Sequence, residues 1–438
     1  MLYVLKHSGC LRGRITLPSS KSICNRALVL NYLALNRGIS IDGGNNSSDD
    51  SLLNDLLPMN VSDCDDTKVM IKWLRDNSDI IDVGAAGTAM RFSTALLSVI
   101  ESDKIITGTE RMKQRPISIL VNALRELGAD IEYLEKENFP PLRICGHSNL
   151  KGGNITLPGN VSSQYISALL MIAPMLENGL TLTLTDDIVS RPYIDLTINL
   201  MREYGAAVEW ENDSVIKVKP QKYNYVKYYV ESDWSASSYW YSMVALSDDN
   251  EAEIVLPGLS FNSFQGDSKV ADIFESLGVG TEYFYEYTSE GTKRECIRIF
   301  KNNKVCKSIE YDFLSQPDLA QTFVVCCCVL GIHFRFTGLQ SLKIKETDRI
   351  KALRTELFKM GFVVNEENDC TLYWNGELTD TEQGFSIDTY KDHRMAMSFA
   401  PCALKYDKIL INDPGVVSKS YPTFWKDLKN VGFIIDEY

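Results

Sequence analysis

Hydrophobic and polar positions along this chain repeat one phrase: an apolar stripe at helical spacing, a glycine, then a short alternating run that carries acids. It reads ALRELGADIEY around Gly128, LMREYGAAVEW around Gly205, IFESLGVGTEY around Gly278, ELFKMGFVVNE around Gly361 and DLKNVGFIIDEY around Gly432. These glycines stand 77, 73, 83 and 71 residues apart. A period of 3.6 followed by a period of 2 predicts a helix and then a half-buried strand. Gly between them suits a helix exit, where a positive φ is cheap only without a Cβ. A second phrase, ITLP at Ile15–Pro18 and Ile155–Pro158 and IVLP at Ile254–Pro257, predicts strands that proline ends. A shortened further copy fits at Lys68–Gly84, KVMIKWLRDNSDIIDVG, where a helix runs almost straight into a strand. Six units in 438 residues predict two domains of three units each, α/β or α+β, with helices packed against sheets.

The candidate chemistry lies where these helices begin. A helix N-terminus is partially positive, so a cation there is disfavoured by roughly 0.3–1 kcal/mol. The sequence breaks that rule repeatedly. Lys21 and Ser22 stand at the mouth of LPSSKSICNRALVL with Arg26 one turn in, and Arg91 follows the small-residue loop Gly84–Thr88. Arg115 precedes Pro116, which reads as the first helical residue; Ser162, Ser163 and Gln164 open another helix; Ser190 and Arg191 precede Pro192. Lys345 and Arg349 flank Thr347, which reads as an N-cap, His393 and Arg394 follow Asp392, and Lys419 precedes the last helix. Each site pairs unsatisfied backbone N–H groups with a cation or hydroxyl, the composition of a phosphate or carboxylate site. Together they predict one shared cavity for a multiply charged small anion. Asp318 and Glu346 interrupt these surroundings, as a helix N-cap and a first-turn acid, or as groups that move protons.

Composition narrows the picture. Lys and Arg number 45 against 58 Asp and Glu, a net charge of −13, so the chain is a poor general binder of nucleic acid or anionic lipid. Hydrophobic residues at 45% and charged residues at 24% exclude a mostly disordered chain. The 11 Cys sit mostly in apolar runs without zinc spacing, and the four His are scattered, so buried reduced thiols and no metal are expected. No Walker or Rossmann glycine pattern occurs, and GAAGT alone is weak. The longest nearly apolar run, Thr322–Ile332, is too short to cross a membrane, and the N-terminus has no signal-peptide pattern, which leaves a cytoplasmic address.

In this order, LPSSKSICNRAL, GAAGTAMRF, RMKQRPI, VSSQYISALLM, VSRPYID, KETDRI and DHRMAM closely resemble the 5-enolpyruvylshikimate-3-phosphate (EPSP) synthase family, over nearly the whole chain. The resemblance implies an enolpyruvyl transferase-like fold of two similar domains, each of three βαβαββ units. Residues 1–19 with 235–438 form one domain, 20–234 an inserted second, and the active site lies in the cleft between them. It implies transfer of the enolpyruvyl group of phosphoenolpyruvate to the 5-hydroxyl of shikimate 3-phosphate, on the route to chorismate and the aromatic amino acids. No cofactor or metal is implied, and the expected protein is a monomer whose partners are these two small molecules. By position, Lys21, Ser22, Arg26, Ser162, Ser163, Gln164, Ser190, Asp318 and Lys345 resemble the shikimate 3-phosphate contacts. Lys21, Gly87, Arg115, Gln164, Arg349, Arg394 and Lys419 resemble the phosphoenolpyruvate contacts. Asp318 is expected to accept the 5-hydroxyl proton with Lys21 near the same oxygen, and Glu346 to shuttle a proton at the methylene.

Departures from the family pattern are Ala85 in the loop before Gly87, Phe92 after Arg91, Trp234 at the second crossover, Ser341, and a segment before Gly84 that lacks about two strands. Two other readings fit less well. The related UDP-N-acetylglucosamine enolpyruvyl transferase would carry a reactive Cys in the stretch Ile105–Gln114, which has none. A non-catalytic anion-binding protein of the same fold would tolerate loss of Asp318 and Glu346.

Overall fold

Strand, helix, strand, helix, strand, strand is the order that recurs, and each time it builds the same small sheet. The computed structural model describes residues 1–35, 54–76, 78–287 and 291–438. They divide into two compact units, Ser19–Val230 and Met1–Pro18 with Glu231–Tyr438.

Ser19–Val230 opens with helices α1 (Lys21–Leu35) and α2 (Asp65–Arg75). The first complete repeat is Ile80–Asp82, α3 (Gly87–Ser98), Ser102–Thr107, α4 (Ser118–Glu126), Asp130–Tyr133 and Leu142–Gly146. Its first strand runs parallel to the second, the second is antiparallel to the fourth, and the third lies outermost beside the fourth. Gly153–Pro158, α5 (Ser163–Ile172), Leu180–Thr185, α6 (Arg191–Glu203), Val208–Asn212 and Val215–Val218 pair in the same way. The expected shortened copy does not stand apart: α2 precedes Ile80–Asp82, but that strand pairs with Ser102–Thr107 as the first strand of the complete repeat. Part of the segment expected to lack strands, residues 36–53, lies outside the described residues.

In the other unit the first repeat begins with the strand Arg12–Arg14, after which the chain leaves for Ser19–Val230. It returns to α7 (Trp234–Leu246), Glu253–Pro257, α8 (Val270–Glu275) and the long strands Leu277–Tyr287 and Lys293–Val305. Ser308–Asp312, α9 (Ala320–Leu330), His333–Thr337, α10 (Arg349–Lys359), Asn365–Glu367 and Thr371–Trp374 form the next repeat. The last is assembled from both ends of the chain. Ile387 bridges in parallel to Ile411, α11 (His393–Phe399) and α12 (Phe424–Lys429) flank Ile409–Asn412, and the sheet is completed by Phe433–Glu437 and Leu2–His7.

The two helices of a repeat do different work. Every residue of α3 and of α11 is buried, whereas α4, α6 and α10 keep a polar side to solvent. The recurrent glycine at the second helix's exit takes φ +104° at Gly128 and +82° at Gly205, a conformation L side chains rarely adopt. Gly278, Gly361 and Gly432 share it.

Several local boundaries differ from the expected ones. Ile15–Pro18 lies past its strand: ladder pairing stops at Arg14, and only the Ile15 N–H continues, to the Val255 carbonyl at 2.9 Å. Pro116 precedes α4 rather than starting it, since Ile117 is the cap residue. The second crossover falls at Val230/Glu231, ahead of the expected join at 234/235. There Ser232 N–H bonds Gly258 O (2.8 Å) and Asp233 N–H bonds Pro18 O (2.9 Å).

All 11 Cys are free thiols, and seven, including Cys326, Cys327 and Cys328, are buried. Burial pushes the Cys326 thiol up to about 12, which leaves it inert. Among the described residues no helix is long and apolar enough to cross a membrane.

Candidate active site

In the unit holding both chain ends, charged side chains from four segments meet in one network. Arg349, the first residue of α10, is 1% exposed and contacts three carboxylates. Its Nε lies 2.7 Å from Asp392 Oδ2, one terminal nitrogen 3.0 Å from Asp318 Oδ1, and the other 3.0 Å from Glu346 Oε2. Arg394, in the first turn of α11, reaches Asp318 Oδ2 at 3.1 Å and the Asp318 carbonyl at 3.0 Å, and donates to the Tyr239 hydroxyl at 3.3 Å. Lys345 Nζ is 3.7 Å from Asp318, and Lys419 Nζ is 2.6 Å from Glu346. All six residues singled out in this unit, Asp318, Lys345, Glu346, Arg349, Arg394 and Lys419, therefore belong to one cluster.

Local structure explains how they are aimed. Asp392 caps α11 by accepting the Arg394 N–H at 2.9 Å while its other oxygen holds Arg349. Asp348, not Thr347, caps α10, accepting the Lys351 N–H at 3.0 Å. Asp318 is no cap either: α9 starts at Ala320 after Leu319, and the Asp318 carboxylate turns to the cations. Glu346 precedes α10 instead of lying in its first turn.

Four cations against three carboxylates leave the cluster with surplus positive charge. Burial alone raises the Asp318 pKa, but Arg394, Lys345 and Arg349 outweigh it and hold the carboxyl well below its usual value. Glu346 is likewise depressed, burial being overcome by Arg349, Lys419 and His393. Burial lowers Lys345, with Asp318 opposing.

In Ser19–Val230 the cations have fewer acids. Arg26, 2% exposed, donates to Thr197 Oγ1 (2.7 Å), the Ser22 carbonyl (2.8 Å), Ser167 Oγ (3.1 Å) and the Tyr193 carbonyl (3.4 Å), all neutral. Its guanidinium lies 5.2 Å from the Phe92 ring centroid, so the departure at position 92 gives it an aromatic face. Burial, opposed by Tyr193, lowers Arg26 to about 10, and no carboxylate pairs with it among the described residues.

Gln164 is locked, accepting from Arg91 at 2.9 Å and donating to Thr88 at 3.0 Å. Arg91 also donates to the Gly87 carbonyl at 3.0 Å. A Cβ on Gly87 would stand 2.7 Å from terminal nitrogens of both Arg115 and Arg91, so two guanidinium groups close on this glycine. Ser162 caps α5 and accepts the Gln164 N–H at 3.4 Å, next to buried Ser163. Ser190 stands just before α6 in the left-handed region, without a side-chain capping bond, and Lys21 lies 3.5 Å from Asp66 on α2. Arg191 departs from the pattern: it lies 4.3 Å from the Trp210 ring centroid and leans on exposed Asp213.

Sequence reasoning missed several members. Asp392 stood out only as a residue before cations, and Tyr239, Ser167 and Thr197 gave no signal, because their partners lie 30 to 171 residues away. Among the described residues no three His, Cys, Asp or Glu are grouped to hold a metal ion.

The family model for EPSP synthase (3-phosphoshikimate 1-carboxyvinyltransferase) matches residues 5–428. The chain is 54% identical over 433 residues to the 3-phosphoshikimate 1-carboxyvinyltransferase of Bacteroides fragilis, covering 99% of this chain and 98% of that one. It is 37% identical over 431 residues to that of Vibrio atlanticus, with 95% and 96% covered. The fold is similar to the solved structure of EPSP synthase from Acinetobacter baumannii, at TM-score 0.75 and 20% identity, with all of both chains covered. Full-length matches of this strength, over a chain whose βαβαββ repeats aim their cations from helix starts, place it in the EPSP synthase family.

Proposed function

We propose that this protein transfers the enolpyruvyl group of phosphoenolpyruvate to the 5-hydroxyl of shikimate 3-phosphate, releasing phosphate. The observation that carries this reading is the excess of positive charge around Asp318 and Glu346, together with buried Arg26, hydrogen-bonded among the described residues to neutral groups alone. Two substrates with two phosphates and two carboxylates repel one another. At a separation of about 4 Å each charge pair costs roughly 4 kcal/mol at an effective dielectric of about 20, and fixed cations offset that.

Shikimate 3-phosphate is assigned to Lys21, Ser22, Arg26, Ser162, Ser163, Gln164, Ser190, Asp318 and Lys345. Phosphoenolpyruvate is assigned to Lys21, Gly87, Arg115, Gln164, Arg349, Arg394 and Lys419. In the addition step the 5-oxygen bonds to C2 of phosphoenolpyruvate, its proton passes to Asp318, and the methylene carbon takes a proton delivered through Glu346. In the elimination step the new methyl group gives up a proton and the C–O bond to phosphate breaks, restoring the double bond.

An Asp318 carboxylate held well below its ordinary pKa is a weak base. Substrate anions that share Arg394, Lys345 and Arg349 weaken that hold and raise its basicity when the proton must move. Lys419, hydrogen-bonded to Glu346, re-supplies the shuttle. We place the protein in the cytoplasm as a monomer acting on small molecules; its net charge of −13 disfavours nucleic acid.

The test is phosphate release on mixing the protein with both substrates. Release with the UDP-sugar acceptor and none with shikimate 3-phosphate would overturn the assignment. A variant separates binding from folding. Arg26→Met is expected to weaken shikimate 3-phosphate at least about tenfold yet change unfolding free energy by less than about 1 kcal/mol, because a cation without a counter-charge stabilises little. Calorimetric titration and urea unfolding of the same sample check both halves.

A further inference from the structure

One buried carboxyl lies beside the charge network without joining its ion pairs. Asp267 sits in the single turn Gly266–Lys269, packed against α7 and 3% exposed. The Ser235 hydroxyl, in the first turn of α7, donates to its Oδ2. Its Oδ1 accepts no hydrogen bond among the described residues. The charged groups facing it are Asp318, Arg394 and Asp233, with the Tyr311 phenol from Ser308–Asp312. Lys269 and Asp272, the next charges along this segment, pair with each other in solvent.

A carboxylate in this place would meet two like charges and leave one oxygen buried and unpaired, which disfavours the ionised form. Burial, then the Asp318 charge, push Asp267 up to about 7 against the opposing pull of the Ser235 hydroxyl and Arg394. Its surroundings therefore favour the protonated form well above the ordinary carboxyl range.

We infer that Asp267 is a positioning residue of the transfer reaction: as a neutral acid it leaves the Arg394 guanidinium directed at Asp318 and at the phosphoenolpyruvate carboxylate, and as an anion it competes for that guanidinium. The inference rests on the roles proposed above for Asp318 and Arg394. Its consequence is specific. Loss of the Asp267 proton raises KM for phosphoenolpyruvate more than it lowers kcat, so kcat/KM falls along an alkaline limb.

The experiment is the pH profile of kcat/KM for phosphoenolpyruvate in the wild type, Asp267→Asn and Ser235→Ala. The wild type is expected to lose about tenfold per pH unit above the limb's midpoint, as one ionisation requires. Asp267→Asn has no proton to lose, so its limb flattens. Ser235→Ala removes the hydroxyl that favours the anion, so its limb moves to higher pH, a shift that a merely structural serine would not give. A wild-type limb retained unchanged in Asp267→Asn, or a downward shift in Ser235→Ala, overturns the inference. A wild type that releases no phosphate sinks the transfer reading and the inference together, whereas normal turnover with an unmoved limb sinks the inference alone. If Asp267→Asn fails to fold, carboxyl carbon-13 spectra of Asp-labelled wild type decide: an Asp signal titrating near neutrality supports the inference, and its absence refutes it.

Discussion

Asp318→Ala is expected to bind both substrates and turn over at least about a hundredfold more slowly, the usual cost of removing a general base. Binding should hold or tighten. The carboxylate takes up part of the charge of Arg349, Arg394 and Lys345, at 3.0, 3.1 and 3.7 Å, and its loss leaves these cations to the substrate anions. Asp318→Asn keeps the shape and also lacks the base, so it should be nearly as slow. A kcat close to that of the wild type in either variant removes Asp318 from the role of proton acceptor. A large rise in KM with kcat intact would leave it a binding residue alone.

Arg349→Met is expected to cost about 3–5 kcal/mol of stability, because it strands carboxylates buried against one guanidinium. Arg349→Lys should recover little, since one ammonium cannot reproduce a planar fork that serves Asp392, Asp318 and Glu346 at once. The sign with pH follows from the depressed acids. Asp318 and Glu346 have folded pKa values below their unfolded ones, so their contribution is present above the unfolded values and fades as pH falls through the folded ones. Without Arg349 both titrate at higher pH, so the variant should begin to lose stability at a less acidic pH than the wild type. Urea unfolding across the acid range measures both effects. A loss under about 1 kcal/mol would show that the cluster relaxes around the missing charge.

The repeats were legible because their signals are local. A Gly exit needs one positive φ, and an alternating strand needs one buried face; both requirements leave their mark within a few residues, as at Gly205 and Val208–Asn212. Which residues carry charge at the helix starts was equally plain. What they touch was not. Asp318 reads as a cap by position, yet its partners Arg349 and Arg394 lie 31 and 76 residues on, on other helices. Thr347 reads as the cap of α10, yet the helix starts one residue later and Asp348 takes that place. Arg191 shares the pattern of the site cations, but Trp210, across the repeat, offers its guanidinium a flat apolar face. Asp267 left no mark because its character comes from burial and from neighbours distant in sequence.

The sheet built from Leu2–His7, Ile409–Asn412 and Phe433–Glu437 has a consequence for how the protein is made. Its central strand is synthesised ahead of both partners with the whole of Ser19–Val230 between them, so that strand must wait while Ser19–Val230 gains every strand it needs. Vectorial synthesis therefore favours early completion of the inserted unit and a final, slow closure of the other. Leu2 and Tyr438 exchange backbone hydrogen bonds of 2.8 and 2.9 Å, so a short peptide tether could splice them. A permuted gene opened in a surface loop elsewhere would then present this central strand to the nascent chain together with its neighbours.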